Sequence, residues 1–172
     1  MRWLLNKGQE IGAAGMVYVK WGENTVKLTW KPGIDYKDRI ITSVHGICLL
    51  DGKVLLSHIH GRGFNAPGGH LENDETPEET LHREIYEEAY VRGIATYIGC
   101  IEVSHEENPD YNGKYPKVGY QAFYRVDITE CLPFLREFEA KTRIWVEPSE
   151  VNQVVDDHEI ILEIMEDALK IR

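Results

Sequence analysis

Short segments in which apolar and polar residues alternate make up much of the chain. Alternation with a period of two predicts β-strands, because successive side chains of a strand point to opposite faces of a sheet. Turn-forming residues at Gly22-Glu23-Asn24 and Asp51-Gly52 join two pairs of these segments as hairpins. Seven strands are predicted, at 16–21, 25–30, 40–50, 54–59, 94–103, 118–128 and 142–146.

Two segments have a helical pattern instead. Thr76 is followed by Pro77 at the first helical position and by Glu79 three residues after the cap, which is the sequence of a capping box. We therefore predict a helix from Pro77 to about Tyr90. A second helix is predicted at 157–171 from apolar residues at helical spacing, namely Ile160, Ile161, Ile164, Met165 and Leu169. Strands on both sides of one helix, with a second helix at the end, predict an α/β fold in which a mixed sheet lies between helical layers.

The chain of 172 residues has no internal repeat, low-complexity tract or linker rich in Pro, Gly or Ser. We therefore predict a single domain over 1–172, in which residues 1–37 form an N-terminal β-hairpin extension and residues 38–172 form the core. A long polar loop at 104–117 separates two of the core strands. Long loops between strands often carry binding residues, so we predict a binding element there.

Composition and charge narrow the classes of function. Lys and Arg total 19 and Asp and Glu total 29, which gives a net charge of −10. A negative surface repels nucleic-acid phosphates and anionic lipids, so neither a nucleic-acid polymer nor a membrane is an expected partner. The three cysteines are widely spaced, which predicts reduced thiols. The sequence shows no signal-type segment and no apolar run of about 18 residues, and we predict a cytoplasmic location.

Three carboxylates share one arc of the first predicted helix. Glu84, Glu87 and Glu88 are three and four residues apart and lie beside the apolar stripe that would face the sheet. Each such pair of like charges costs a helix about 0.2–0.5 kcal/mol, and Arg83 is the neighbouring cation in sequence. A hard divalent cation such as Mg²⁺ takes oxygen ligands and would turn this repulsion into attraction. The alternative is a purely structural, solvated acidic face, which has no metal affinity.

The residues around these carboxylates resemble the Nudix box, a motif of 23 residues. Gly69 is followed after five residues by Glu75 and after seven more by the Arg83-Glu84 pair, as in the box. Glu87, Glu88 and Val91 also stand at the positions that the box requires. Tyr90 stands where the box has Gly, a position that favours the left-handed conformation of a helix cap. Because a Tyr in that conformation costs about 1 kcal/mol, we predict that the helix continues past Tyr90 and that Gly93 supplies the cap.

The resemblance implies a fold, an activity and a metal. The fold is a Nudix-type α/β/α sandwich, here with the N-terminal hairpin added. The activity is hydrolysis of a nucleoside diphosphate linked to another group. The cofactor implied is Mg²⁺, with Mn²⁺ as an alternative, held by the main-chain carbonyl of Gly69 and the carboxylates of Glu84, Glu87 and Glu88. One of these glutamates would activate water, and the resemblance leaves open which one.

Further residues receive roles outside the metal site. Glu75 and Arg83 form a predicted structural pair between the loop and the helix, because a guanidinium suits bidentate carboxylate recognition. Relatives often recruit another catalytic Glu from a loop before the last short strand, and Glu137 and Glu139 are the candidates here. Four residues are predicted to contact the substrate, namely Arg62 at phosphate, Phe64 at the base, and Tyr111 and Tyr115 by stacking.

Two classes of substrate are possible for an active enzyme, and a domain without catalytic activity is the alternative. The first choice is a nucleoside triphosphate, cleaved by a house-cleaning pyrophosphohydrolase, and the second is an ADP-ribose-like nucleotide sugar. The alternative is a catalytically silent domain of the same fold that senses or binds a nucleotide. The N-terminal hairpin also raises the expectation of a homodimer, formed by pairing with a second subunit.

Overall fold

The computed structural model describes residues 10–11, 15–155 and 160–171 of the chain. The described residues form ten strands: β1 (Glu10–Ile11), β2 (Met16–Trp21), β3 (Asn24–Pro32), β4 (Ile41–Leu50), β5 (Lys53–Ile59), β6 (Gly63–Asn65), β7 (Gly68–His70), β8 (Val91–Ser104), β9 (Val118–Cys131) and β10 (Ala140–Val146). The helices among them are α1 (Pro77–Ala89), a 3₁₀ turn (Pro148–Glu150), α2 (Val151–Val154) and α3 (Ile160–Lys170). Each of the seven predicted strands overlaps one of these strands.

The strands form one sheet that mixes parallel and antiparallel pairs. Its order is β1-β2-β3-β8-β9-β4-β5-β10, and the short strands β6 and β7 pair with β5 and β4. β4 and β9 are parallel, whereas the other pairs among the described strands are antiparallel. The predicted mixed sheet is therefore confirmed.

Alternate residues of the central strands supply two apolar cores, one on each face of the sheet. On β4, Ile47 faces one core and Cys48 the other. Ile164 of α3 packs into the first core, and Leu81 and Ile85 of α1 pack into the second. Because the side chains of a strand alternate between faces, the sheet is covered by a helix on both sides, as the α/β/α prediction requires.

The N-terminal hairpin continues the main sheet. β3 pairs with β8, which places Lys27 opposite Ser104 and Trp30 opposite Ile101. Val26 and Leu28 are fully buried and belong to the core that α3 covers. The inner strand of the hairpin is thus paired within the chain, and a homodimer stays a prediction.

Helix α1 begins as its sequence predicts. The hydroxyl of Thr76 accepts a hydrogen bond from the Glu79 N–H at 3.2 Å, and the Glu79 carboxylate accepts one from the Thr76 N–H at 2.8 Å. Pro77 occupies the first turn, where its missing N–H is not needed. The capping box is confirmed, and it orients the helix for the residues that follow.

The end of α1 differs from the prediction, because the helix stops at Ala89. Tyr90 is the C-cap and itself adopts the left-handed conformation, with φ 53° and ψ 45°. Gly93 lies instead within β8, where a Cβ would come 2.4 Å from the Asp127 carbonyl oxygen. Arg143 donates to the carbonyls of Ala89 and Tyr90 at 2.6 and 3.0 Å, which places a cation at the negative end of the helix. The prediction that Gly93 caps a longer helix is therefore wrong.

The side chain of Tyr90 explains why the chain accepts this conformation. Tyr90 is 1% exposed, and its ring packs against Phe134 and Phe138 with centroids 5.0 and 5.9 Å apart. Its hydroxyl accepts a hydrogen bond from the Glu137 N–H at 2.8 Å. Tyr90 thereby ties the segment at residues 132–139 to the end of α1, which a glycine could not do.

Three smaller features complete the fold. The segment between β5 and α1 contains the short strands β6 and β7. On α3, Leu169 is 40% exposed whereas Ala168 is fully buried, so the predicted apolar face is wrong at Leu169, and residues 157–159 lie outside the described chain. Among the described helices, none is long and apolar enough to cross a membrane.

We expect Tyr90→Gly to destabilise the protein, although Gly is the residue of the box at this position. The substitution relieves a backbone cost of about 1–2 kcal/mol but removes a buried aromatic ring, which typically costs about 3–5 kcal/mol. A net loss of about 2–3 kcal/mol in the free energy of unfolding, measured by urea denaturation, follows from these values. Tyr90→Phe keeps the ring and loses the acceptor of the Glu137 N–H, so its expected loss is about 1 kcal/mol. A Tyr90→Gly variant as stable as the wild type would contradict this account of the helix end.

Candidate active site

The described residues enclose two adjoining cavities. The first, of about 380 Å³, is bordered by acidic side chains, and we call it the carboxylate cavity. The second, of about 600 Å³, is bordered partly by aromatic rings, and we call it the aromatic cleft. The two cavities are adjacent because they share four lining residues, namely Arg62, Gly68, Gly69 and His70.

Two glycines bring the main chain against the carboxylates of α1. In β7, Gly68 pairs with His45 and Gly69 with Val44 of the neighbouring strand β4. A Cβ on Gly68 would lie 2.2 Å from the Val44 carbonyl oxygen, and one on Gly69 would lie 2.3 Å from the Glu84 carboxylate. Gly68 therefore has no room for a side chain against the backbone of β4, and a side chain at position 69 would displace the Glu84 carboxylate.

A bidentate ion pair fastens the preceding loop to α1. Arg83 donates from Nε and Nη2 to the two carboxylate oxygens of Glu75, at 2.8 and 2.9 Å. Arg83 also donates to the His70 carbonyl oxygen at 3.2 Å, and the Thr80 hydroxyl donates to Glu75 at 2.9 Å. The hydrogen bonds from Arg83 lower the pKa of Glu75 to about 2. The predicted pair is thus present, and it spans the loop from β7 to the helix.

Arg83 also offsets the repulsion among the carboxylates. Its Nη1 donates to Glu84 at 2.8 Å and lies 3.5 Å from a carboxylate oxygen of Glu87. Burial nevertheless raises the pKa of Glu84, and the Arg83 contact opposes that shift. With Glu75 and with Glu72 at 3.9 Å, one guanidinium therefore lies within ion-pair distance of four acidic side chains.

Glu88 is the most deeply buried of these carboxylates, at 7% exposure. One of its oxygens accepts from the Gly68 N–H at 2.9 Å, and the other accepts from Arg62 at 3.3 Å. Burial raises the pKa of Glu88 to about 7, against the effect of the Gly68 hydrogen bond. The hydrogen bond to Gly68 holds the side chain at the junction of the two cavities.

The chemistry of this donor set fits a hard divalent cation. The oxygens of Glu84, Glu87 and Glu88 and the main chain of Gly69 meet at one cavity, and carboxylate and carbonyl oxygens are the ligands that Mg²⁺ and Mn²⁺ prefer. Within residues 15–155 and 160–171, however, no three His, Cys, Asp or Glu side chains are close enough to hold a metal ion. The carboxylates face arginines instead, so metal binding requires them to exchange those contacts.

The segment anchored by Tyr90 brings one further acid to the carboxylate cavity. Glu139 lines the cavity, with its side chain 82% exposed and 3.8 Å from Arg62. Glu137, the other predicted candidate, uses its N–H to bind Tyr90 and is not among the described residues that line either cavity. The structure thus separates two glutamates that the sequence could not rank.

The predicted substrate-contacting residues divide in the same way. Arg62, Tyr111 and Tyr115 all line the aromatic cleft. Phe64 does not, because its ring packs against His58 with centroids 4.9 Å apart and lies beside the core under α3. Arg62 is the one of these four that borders both cavities within the described chain.

Several residues that line the cleft were not predicted as site residues from the sequence. Trp21 comes from the tip of the N-terminal hairpin, His105 from the start of the long loop, and Gln121 from β9. Each looks like an ordinary strand or loop residue in the sequence, so no local pattern marks it. The pairing of β3 with β8 decides their proximity, and the predicted strands alone did not give that strand order.

Comparison with known proteins identifies the family of this site. The family model of the NUDIX domain matches residues 41–167, about three quarters of the chain. The chain belongs to the Nudix hydrolase family. The predicted resemblance to this family and its α/β fold is confirmed.

Individual relatives agree with this membership. "Nudix hydrolase 16, mitochondrial" from Arabidopsis thaliana is 34% identical over 96 residues, which are 54% of this chain and 52% of that protein. The chain therefore spans about half the length of this curated relative. The Bacillus subtilis pyrophosphohydrolase BsRppH is 27% identical, with a TM-score of 0.65 over 89% of this chain and 95% of its own. The NUDIX domain of Shewanella oneidensis NrtR, complexed with ADP ribose, shares the fold at 18% identity, with a TM-score of 0.56 over 80% of this chain and 95% of its own.

Removing the bidentate pair of this Nudix chain should change its stability in a pH-dependent way. Because the pKa of Glu75 falls from an ordinary 4.5 to about 2 on folding, the charged carboxylate stabilises the folded state above about pH 4.5. This contribution is lost as the pH falls through about 2. We expect Glu75→Gln to unfold at lower urea than the wild type at neutral pH, and the difference to shrink between about pH 4.5 and 2.

A matched control is Glu147→Gln, which breaks an exposed ion pair with Lys53 at 3.6 Å. Exposed pairs contribute little, so this variant should stay close to the wild type at every pH. A Glu75→Gln difference that is the same at pH 2 and pH 6 would show that the carboxylate charge is not the cause.

Proposed function

We propose that the protein hydrolyses a diphosphate linkage in a small nucleotide, with a divalent cation held by the Gly69 carbonyl and by Glu84, Glu87 and Glu88. The observation that carries this proposal is the adjacency of the two cavities. Acidic oxygens surround one cavity and aromatic rings border the other, with Arg62 between them. A nucleotide has the same polarity, since its charged phosphates and its flat base lie at opposite ends.

We propose Mg²⁺ as the cation, with Mn²⁺ as the alternative. Nudix hydrolases generally use divalent metal ions, and the oxygen donors of the carboxylate cavity suit a hard one. When bound, such an ion supplies positive charge that neutralises phosphate oxygens and lowers the pKa of a water.

Arg62 is the phosphate-binding residue of this proposal. Its side chain is 55% exposed, lies at the junction of the cavities and contacts the carboxylates of Glu88 and Glu139 at 3.3 and 3.8 Å. A guanidinium forms bidentate hydrogen bonds with phosphate oxygens as readily as with carboxylates. Arg62 can therefore hold the diphosphate beside the acidic residues that would otherwise repel it.

Glu139 is the proposed general base. Its carboxylate borders the carboxylate cavity, and within the described residues its one ion pair is the long contact with Arg62. It is thus available to accept a proton from a water molecule while the oxygen of that water attacks phosphorus. Glu84 and Glu88 are more buried and already hydrogen-bonded, which suits them to hold a cation in place.

A nucleoside triphosphate is the first candidate substrate. The similarity of 27% over most of the chain to a pyrophosphohydrolase supports a substrate with a terminal pyrophosphate. An ADP-ribose-like nucleotide sugar is the second candidate, because a cleft of about 600 Å³ has room for more than a base. A silent nucleotide-binding domain is the remaining alternative, but it has no need to keep several repelling carboxylates around one cavity.

We also propose that the protein works in the cytoplasm, as the sequence predicts. Cys48, Cys100 and Cys131 are free thiols, and the first two are buried. Free cysteines are typical of a reducing compartment.

Turnover of a nucleotide panel with Mg²⁺ tests the proposed activity. We expect Glu84→Gln and Glu88→Gln to lower kcat at least 100-fold, because each removes a charged oxygen donor from the cation site. The Gln side chain at position 88 can still accept from the Gly68 N–H, and one at position 84 can still accept from Arg83, so both variants should fold. Glu78→Gln is the matched control, since Glu78 lies on the same helix with its side chain 64% exposed and outside both cavities. Chelation of the metal should abolish activity in every variant.

The outcomes separate the candidate functions. No product from any nucleotide, with nucleotide binding retained, would favour the silent binding domain. Equal turnover by the wild type and by both variants would eliminate the proposed cation site.

A second pair of variants tests the general base. We expect Glu139→Gln to lower kcat at least tenfold, the lower range for general-base catalysis in proteins. Glu137→Gln should stay within about twofold of the wild type, because its main-chain bond to Tyr90 is kept and its side chain lies outside the cavity. If Glu137→Gln is the slower variant, the assignment of Glu139 is wrong.

A further inference from the structure

The N-terminal hairpin precedes the region that defines the family, yet its tip reaches the aromatic cleft. Trp21, the last residue of β2, and Asn24, the first residue of β3, both line this cleft. Since the cleft and the carboxylate cavity share lining residues, the cleft that Trp21 and Asn24 line adjoins the proposed diphosphate site.

Strand register places the hairpin tip there. Lys27 of β3 lies opposite Ser104, the last residue of β8. The residues before Lys27 therefore extend past the end of β8, beside the start of the long loop at 105–117. The hairpin and the loop are far apart in sequence but side by side in the sheet.

Polar contacts fasten the hairpin to this loop. The Asn108 side-chain amide donates to the Asn24 side-chain oxygen at 2.7 Å. The carboxylate of Glu107 accepts from the Tyr18 hydroxyl at 2.9 Å and pairs with Lys27 at 3.3 Å. These three contacts hold two separate segments as one border of the cleft.

Three aromatic side chains, one from the hairpin and two from the loop, line this border. Trp21 lies 6.2 Å from His105, and His105 lies 6.3 Å from Tyr115 with the two planes 7° apart. His105 is 6% exposed, whereas Trp21 and Tyr115 are 40% and 43% exposed. Trp21 and Tyr115 are thus partly exposed beside a cavity, with the Lys114 ammonium 5.3 Å from the centroid of the Tyr115 ring, and partly exposed rings of this kind bind nucleobases by stacking.

A polar group that has no hydrogen bond within the described chain also lines the cleft. Gln121 of β9 is half-buried, and its side-chain amide forms no hydrogen bond with any of the described residues. A glutamine amide offers one acceptor and two donor hydrogens in a plane, which suits the polar edge of a base.

We propose that the hairpin tip and the loop at 105–117 together form a nucleobase subsite, in which Trp21 and Tyr115 stack on the base and Gln121 binds its edge. The subsite rests on the proposed function in one respect, because it takes the base of the nucleotide whose diphosphate lies in the carboxylate cavity. Stacking serves any base, so the subsite favours nucleotides over inorganic phosphates without choosing strongly among purines.

Isothermal titration calorimetry with Mg²⁺ tests this subsite with non-hydrolysable probes. The probes are the α,β-methylene analogues of ADP and GDP, and methylenediphosphonate, which carries the same phosphorus groups without a base. We expect Trp21→Ala to weaken binding of both nucleotide analogues about tenfold, the loss typical of one base–aromatic stack, and to leave methylenediphosphonate unchanged. Trp21→Phe should keep the affinity within about threefold, because it restores an aromatic face.

Two further variants check this interpretation. Tyr115→Ala changes a residue of the loop and should also lose affinity for the nucleotide analogues only, which gives a second measurement if Trp21→Ala does not fold. Ile94→Ala removes an exposed apolar side chain elsewhere on the sheet and should bind all probes as the wild type does.

The results distinguish this proposal from the proposed hydrolysis. Unchanged affinity of both alanine variants for the nucleotide analogues would overturn the subsite, as would a wild type that binds them no tighter than methylenediphosphonate. A selective loss in the variants, together with no hydrolysis of any nucleotide by the wild type, would support the subsite and refute the hydrolase.

Discussion

The structure of this site depends on holding several carboxylates together on one face of a helix. Their mutual repulsion has to be offset, and two arginines with one main-chain amide do so. Arg83 binds Glu84 from the same helix, while Arg62 and the Gly68 N–H bind Glu88 from the loop. The contacts to Glu88, and those of Arg83 to Glu75 and the His70 carbonyl, also tie the loop before α1 to the helix, so the electrostatic requirement and the geometry of the loop are one constraint. Gly69 follows from it, because a side chain there would displace the Glu84 carboxylate, whereas a side chain at Gly68 would clash with Val44 and His45 of β4.

The end of the helix shows how a local rule can give way to packing. A left-handed tyrosine has a backbone cost, and judged by that cost alone the helix should end elsewhere. In the fold, the ring of Tyr90 is buried against Phe134 and Phe138, and its hydroxyl binds the Glu137 N–H. Those contacts involve residues more than 40 positions away, so the sequence around Tyr90 contained no sign of them. Burial of one large ring contributes more than the conformation costs, which is why the helix stops at the position of the box.

The same distinction separates what the sequence predicted from what it did not. The capping box at Thr76, the hairpins and the spacing of the carboxylates are local patterns, and the structure contains all of them. The choice between Glu137 and Glu139 depends on how the 132–139 segment packs on Tyr90. The aromatic cleft depends on strand order, since Trp21 and His105 meet only because β3 lies beside β8. Strand order is a property of the whole sheet, and alternation within single strands contains little information about it.

Strand order also decides where the two cavities lie relative to each other. β4 carries the partners of β7 on one side and runs beside β9 on the other, while β9 pairs with β8 and β8 with the hairpin. The glycines of the carboxylate cavity and the rings of the aromatic cleft are therefore positioned by one continuous sheet. A chain with a net charge of −10 can in this way present a phosphate-binding arginine between its acids and its aromatic residues. Arg62 lies at that junction, and the local arrangement of charge, more than the total, decides which ligands this surface can accept.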